Sequence, residues 1–182
     1  MKGYSINSIL FQRGIYPPNE FEPTKKYGLQ MMVTKDKQLK EYLQTVLQQL
    51  NEWLMTGTVQ KLVLVITSME DEAVLERWSF DIETDKEVIK TGEAKTKDEK
   101  EITREIQAII RQITSSVTFL PILEVPCTFD LLIYTDKDCT VPVKWEESDP
   151  RFIKNSEEVR LRSFTTKVQT LNIIRSFFVV LS

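Results

Sequence analysis

The chain has 182 residues, 24 of them basic and 27 acidic, for a formal net charge of −3. Its 41% hydrophobic and 28% charged residues are ordinary for a globular protein, which excludes disorder of the whole chain and a basic nucleic-acid footprint. No apolar run approaches the roughly 18 residues of a membrane span, there is no histidine, and neither Cys127 nor Cys139 lies in a C-x-x-C pair.

Reading along the chain, Ile6, Ile9 and Leu10 recur at helical spacing until Gly14 and Pro17-Pro18 stop the run. Met1-Lys2-Gly3 leads into Tyr4-Ser5-Ile6-Asn7 with no apolar signal-peptide stretch. The chain therefore opens inside a helix, which reads as truncated. A second helix is marked by Leu39, Tyr42, Leu43, Val46, Leu47, Leu50, Trp53 and Leu54. Asp36 falls in its first turn and Gly57 supplies its stop.

A hairpin follows. Val59 to Met69 contains Leu62-Val63-Leu64-Val65-Ile66, the continuous apolar run of a central strand covered on both faces. Glu70-Asp71-Glu72-Ala73 makes the turn. Val74 to Glu83 then alternates, with Val74, Trp78, Phe80 and Ile82 on one face and Arg77, Ser79, Asp81 and Glu83 on the other. Trp78 is expected in the core. The stretch from Lys86 to Glu101 is rich in Lys, Glu and Thr and reads as an exposed loop. Thr96-Lys97-Asp98-Glu99 fits a capping box. It opens a third helix striped by Ile102, Ile106, Ile109, Ile110, Ile113 and Val117. Arg104 and Arg111 project opposite that stripe, and Gln112 lies on its flank.

From Ile122 to Thr135, apolar residues Leu123, Val125, Cys127, Phe129, Leu131 and Ile133 alternate with Glu124, Thr128 and Asp130. Pro126 lies within this run. Proline cannot donate to a ladder, so the strand is expected at a sheet edge, where an added strand can dock. Asp136 to Glu158 is charged and turn-rich, with Pro142, Trp145 and Pro150 as apolar anchors. Val159 to Val168 alternates weakly, and Ile173 to Leu181 is nearly all apolar. That ending reads as a packed final strand, a splice or gene-model variant, or an aggregation-prone end. The coarse order α-β-α-β-β-α-β with a β-rich tail gives an α+β class: an antiparallel three-stranded core sheet backed by three helices, with a mobile C-terminal arm.

Chemistry is poorly represented. Without histidine there is no Ser-His or Cys-His pair, and no finger-type zinc site is available. The two thiols read as reduced, in a cytosolic or nuclear protein. No phosphate loop or dinucleotide fingerprint occurs. Acidic pairs such as Asp71-Glu72, Glu146-Glu147 and Glu157-Glu158 read as solvated faces. No catalytic, cofactor or metal residues are expected. Arg111 is either a solvated charge or a protein-contact anchor. Phe119 and Leu120 either enter the core or flank the same surface.

Several long stretches carry a family resemblance: Asn7-Ser-Ile-Leu-Phe-Gln-Arg-Gly-Ile-Tyr-Pro17, Val74-Leu-Glu-Arg-Trp-Ser-Phe-Asp-Ile-Glu83, Ile110-Arg-Gln-Ile-Thr114 with Thr118-Phe-Leu-Pro121, Phe129-Asp-Leu-Leu-Ile-Tyr-Thr-Asp-Lys-Asp138, Trp145-Glu-Glu-Ser148, and Ser156-Glu-Glu-Val-Arg-Leu-Arg-Ser-Phe-Thr-Thr166. Over roughly residues 4 to 172 the chain resembles the mitotic-arrest-deficient spindle checkpoint branch of the HORMA domain family. The resemblance implies a single HORMA domain over 1–182, its core ending near residue 136 and a "safety belt" arm from about 137. It implies a non-enzymatic adaptor with two folded states and no cofactor. In the closed state the arm lies beside Val74 to Glu83, and a partner peptide adds to the strand carrying Val125, Cys127, Phe129, Leu131, Ile133 and Tyr134. Trp145, Val159, Leu161 and Phe164 belong to the belt that wraps it. In the open state the arm covers that strand instead.

Implied partners are the checkpoint scaffold at kinetochores, the activator of the anaphase-promoting complex, and a checkpoint-silencing adaptor with its AAA+ ATPase. Open and closed copies are expected to pair through Arg111, Gln112 and Phe119. Neither nucleic acid nor membrane is an expected partner, and the implied location is nucleus, kinetochore and cytoplasm. Ser148, Ser156 and Ser163 are candidate phosphorylation positions in the arm. A paralogous adaptor of translesion polymerase and DNA repair is the alternative within the family, and an inactive truncated variant is another.

Overall fold

A computed structural model describes residues 2–84, 98–143, 145, 148, 151, 153, 157–160, 164–165 and 169–177. Three helices form where the 3.6-residue stripes are: α1 over Lys2–Gln12, α2 over Lys37–Met55 and α3 over Glu99–Ser116. Asp36 is the N-cap of α2 rather than a first-turn residue, its carboxylate accepting the Leu39 N–H at 2.6 Å. Gly57 ends the helix at φ +70, where the Gly57 N–H reaches the Leu54 carbonyl and the Thr58 N–H reaches that of Trp53. This double closure is a Schellman motif, and it needs a left-handed residue.

The cap of α3 differs from the expected box. Asp98, two residues after Thr96, is the N-cap, and its carboxylate accepts the Lys100 N–H at 3.2 Å. The carboxylate already supplies the acceptor that a threonine would provide, so the helix starts later. Thr96 itself lies outside the described residues.

One strand was expected between the first two helices; a whole hairpin occupies the space. β1 (Phe21–Lys26) and β2 (Leu29–Thr34) pair antiparallel, with Lys26 opposite Leu29. Tyr27 (φ 51) and Gly28 (φ 69) form the two-residue turn, whose backbone twist matches that of the strands. The Gln107 amide on α3 donates to the Tyr27 carbonyl at 2.6 Å and holds the turn in place.

The main sheet contains β3 (Val59–Ser68), β4 (Val74–Thr84), β5 (Cys127–Thr135), β6 (Glu157–Arg160) and β8 (Gln169–Phe177), in spatial order β5-β3-β4-β8-β6, with β7 (Phe164–Thr165) also on β8. All pairs are antiparallel. The three-stranded core β5-β3-β4 is therefore extended by strands of the C-terminal arm.

Leu62, Leu64 and Ile66 of β3, Trp78, Phe80 and Ile82 of β4, and Phe129 and Leu131 of β5 share one face. They pack with Ile6, Ile9 and Leu10 of α1, the stripe of α2, and Ile106, Ile109, Ile110 and Ile113 of α3. Val63 and Val65 are fully buried outside this cluster, on the opposite face. The central strand is thus covered on both sides, as its continuous apolar run predicts.

Glu76 falls on the Trp78 face and is 2% exposed. A carboxylate there requires a partner, and Arg13, just past α1, supplies it as a buried ion pair. Trp78 Nε1–H donates to Glu76 Oε2 at 3.2 Å, and Arg13 Nη2 also donates to the Pro121 carbonyl at 2.6 Å. One network therefore ties α1, β4 and the segment after α3.

Candidate functional site

β5 is the terminal strand of its sheet. Among the described residues, no strand pairs along its outer side. Its polarity follows from register. The Pro126 carbonyl accepts the Met69 N–H at 2.9 Å, and Ser68 opposite Cys127 through Lys61 opposite Tyr134 pair without a break. In an antiparallel ladder, bonded and non-bonded pairs alternate. Counting by twos from Pro126, the main-chain groups of Thr128, Asp130, Leu132 and Tyr134 bond β3. Those of Cys127, Phe129, Leu131 and Ile133 point outward. Each outward residue directs an N–H and a C=O that no described strand pairs toward the place an added strand would take.

Four of the six residues expected on this strand are therefore the ones whose backbone faces outward. The other two differ. Val125 precedes the strand, because Pro126 has no N–H and the ladder of β5 begins only at Cys127. Pro126 marks the edge from the strand's start rather than from within it. Tyr134 turns its backbone to β3. Its hydroxyl accepts from Arg77 Nη2 at 3.4 Å, and Lys61 Nζ stands 4.6 Å from its ring centroid.

The side chains of the outward-bonding residues anchor the strand. Phe129 and Leu131 are buried toward the helices, and Cys127 and Ile133 pack against the same core. Burial pushes the Cys127 thiol up, Glu76 adds to the rise and Arg13 opposes it. It packs against the core with less thiolate character than a free cysteine.

The helix α2 runs beside this edge. The Tyr42 ring meets Phe129 edge-on at 6.0 Å, and the Tyr16 ring meets it at 6.2 Å. Burial raises the Tyr42 phenol pKa, the nearby Leu131 main chain opposes the rise, and Asp130 and Tyr16 add to it. Burial and then Asp36 raise Tyr16. Sequence reasoning placed Tyr42 in the apolar stripe of α2. A hydroxyl on the flank of that stripe was the signal available.

The arm is seated on the other side of the core. β8 lies along β4, from Phe177 opposite Glu76 to Gln169 opposite Thr84. The apolar ending is therefore a paired strand as far as Phe177. Val159 stands opposite Arg175 and Phe164 opposite Leu171. Leu161, Ser156 and Ser163 lie outside the described residues. Trp145 packs edge-on against Trp53 of α2 at 5.3 Å, and Trp53 Nε1–H donates to the Thr140 carbonyl at 3.3 Å. Arg151 pairs with Asp130 of β5 at 2.6 Å. The arm thus touches α2, β5 and β4 in succession.

On α3, Arg111 is exposed and Gln112 is half-buried. Phe119 is 87% exposed in the 3-10 turn that continues the helix, and Ile122 is 83% exposed. Leu120 packs against the core. Phe119 is therefore a surface residue and Leu120 an anchor. Among the described residues no group of acidic or thiol side chains is arranged to hold a metal, and no helix is long and apolar enough to cross a membrane.

The family model of the HORMA domain matches residues 1–169. The chain belongs to the HORMA domain family. Among HORMA proteins, it is 64% identical over 166 residues to the "Mitotic spindle assembly checkpoint protein MAD2A" of Dictyostelium discoideum, covering 91% of this chain and 81% of that protein. It is 58% identical over 169 residues to the protein of the same name from Homo sapiens, covering 93% of this chain and 82% of that one. A HORMA chain in the crystal structure of a mitotic checkpoint complex superposes with a TM-score of 0.90 at 44% identity, over 98% of this chain and 94% of its own. The α+β architecture described above is the HORMA fold.

Proposed function

We propose that this HORMA chain is a spindle assembly checkpoint adaptor that captures a partner peptide by strand addition to β5. The observation that carries the reading is the pairing order. Among the described residues the arm pairs with the β4 edge and no strand lies along β5, an order that supports the closed arrangement the resemblance implied. Identity of 58% to 64% to checkpoint proteins supports the biological assignment. Main-chain bonds from Cys127, Phe129, Leu131 and Ile133 supply affinity, and pockets for alternate side chains supply specificity. Trp145, Val159, Leu161 and Phe164 belong to the belt over the captured strand. Wrapping places the tuning in dissociation rather than association.

In this reading the chain performs no catalysis. It takes its peptide from the checkpoint scaffold at kinetochores or from the activator of the anaphase-promoting complex, and holding the latter delays anaphase. Arg111, Gln112 and Phe119 form the surface on which open and closed copies pair, and the silencing adaptor with its AAA+ ATPase reopens closed copies. It works in nucleus, kinetochore and cytoplasm as one domain, core to about residue 136 and arm beyond it.

Fluorescence anisotropy with a labelled peptide, basic at its start and alternately apolar after, tests the proposal. The expected result is tight binding, with release over minutes when unlabelled peptide is added in excess. A soluble, folded sample that binds no such peptide overturns it.

A further inference from the structure

Arg13 ends α1 and reaches well beyond it. The Gly14 N–H closes on the Phe11 carbonyl at 3.2 Å and the Ile15 N–H on that of Leu10 at 3.1 Å, with Gly14 at φ +65. This Schellman closure makes Arg13 the capping residue of the helix, and its side chain is buried. Nε donates to Glu76 Oε2 at 3.1 Å and Nη2 pairs with Glu76 Oε1, a side-on fork. Nη2 also donates to the Pro121 carbonyl at 2.6 Å. The residues around that carbonyl divide sharply. Leu120 and Leu123 pack against the core, while Phe119 and Ile122 stand in solvent. The fork therefore grips the main chain between two bare apolar side chains.

We propose that Arg13 is a positioning residue for the surface on which copies pair: clamped to Glu76, it fixes the Pro121 carbonyl and so presents Phe119 and Ile122 together to a second copy of this chain. The proposal rests on the pairing reading and deepens it, adding Ile122 to Arg111, Gln112 and Phe119. The occupant follows from continuity. Phe119 ends the 3-10 turn that prolongs α3, the helix carrying Arg111 and Gln112. Ordering a segment on contact costs affinity, so an apolar side chain contributes most where its backbone is already held. Pro121 has no N–H, and its carbonyl is the one main-chain group by which it can be tied. A guanidinium suits the task, because its planar fork serves the carboxylate and the carbonyl at once. A lysine ammonium is a point charge without that fixed geometry.

The test is sedimentation velocity of the full chain, with free chain mixed with an equal amount of chain loaded with the labelled peptide. Ile122→Ser is expected to weaken pairing about tenfold, as loss of an apolar anchor does. Arg13→Lys keeps a charge beside Glu76 but loses the fork. It is expected to weaken pairing about fivefold, the cost of ordering the segment on contact, and to leave peptide release unchanged. An ion pair that only stabilises the fold would lower the urea midpoint of Arg13→Lys and leave the folded chain pairing at the wild-type level; that result overturns the proposal. Backbone order at Ile122, read by NMR relaxation on the free chain, is the second measurement. The order parameter is expected at about 0.85 in the wild type and below about 0.6 in Arg13→Lys. A wild-type value already in the lower range, or equal order in both chains, overturns the proposal. Absence of pairing by the wild type overturns the pairing reading instead, and the order at Ile122 still decides whether Arg13 holds this segment.

Discussion

The core β5-β3-β4 has two outer edges, and the chain treats them in opposite ways. At β4 it supplies its own neighbour, with β8 paired from Glu76 to Thr84. At β5, among the described residues, it supplies side-chain contacts: Tyr42 from α2, and Arg151 from the arm onto Asp130. A bare edge is normally an aggregation liability. Here it is flanked by an aromatic helix face and an ion pair, not sealed. Among the described residues the arm is seated on one edge while the other carries no strand. Under the proposed capture, moving the arm would exchange which edge is available.

The comparison can be broken most severely at the covered edge. Glu76→Ala strands the Arg13 guanidinium in the core and is expected to cost about 3–5 kcal/mol, read as a lowered urea midpoint. Replacing Arg13 and Glu76 together by apolar residues is expected to recover most of that loss.

The open edge is expected to respond in binding rather than in stability. Ile133→Pro removes an N–H that faces outward, and should weaken peptide affinity at least tenfold, about 1.4 kcal/mol, in the anisotropy assay. Leu132→Pro removes an N–H that bonds β3, so it should lower the urea midpoint instead. Equal effects of the two prolines on stability would refute the assigned polarity of the edge.

Trp145→Ala removes the ring contact with Trp53, worth about 1 kcal/mol beyond its buried area. Peptide release is expected to quicken about fivefold. Arg151→Ala is the mildest. Its pair with Asp130 is 40% and 46% exposed, so less than about 1 kcal/mol is at stake, and high salt should erase the difference between variant and wild type.

Much of this organisation was legible in the residues. The stripes of α2 and α3 gave their buried faces because burial of an amphipathic helix obeys a single period. The run Leu62 to Ile66 announced a strand covered on both sides, and Pro126 announced an edge. The misses share a cause. The β1-β2 hairpin turns on Tyr27 at positive φ, a conformation that residue type does not advertise. Glu76 interrupts an apolar face, and its burial depends on Arg13, 63 positions away. Asp98 is the cap rather than Thr96 because a carboxylate closer to the stripe supplies the acceptor for the first free N–H groups. Val125 looked like strand by alternation alone, which is blind to where a ladder starts. Tyr42 fitted its helix stripe, and only the fold puts its ring edge-on against Phe129 of β5.

The tryptophans give the molecule an optical signature. There are three. Trp78 is 1% exposed beneath the sheet, its indole N–H bound to Glu76, and its emission should stay constant while the core is intact. Trp53 and Trp145 meet at the root of the arm. Their separation would let water reach both indoles and shift the emission to the red. Intrinsic fluorescence, without any added dye, then reports when the arm leaves α2, and stopped-flow mixing can time that departure against the arrival of a peptide.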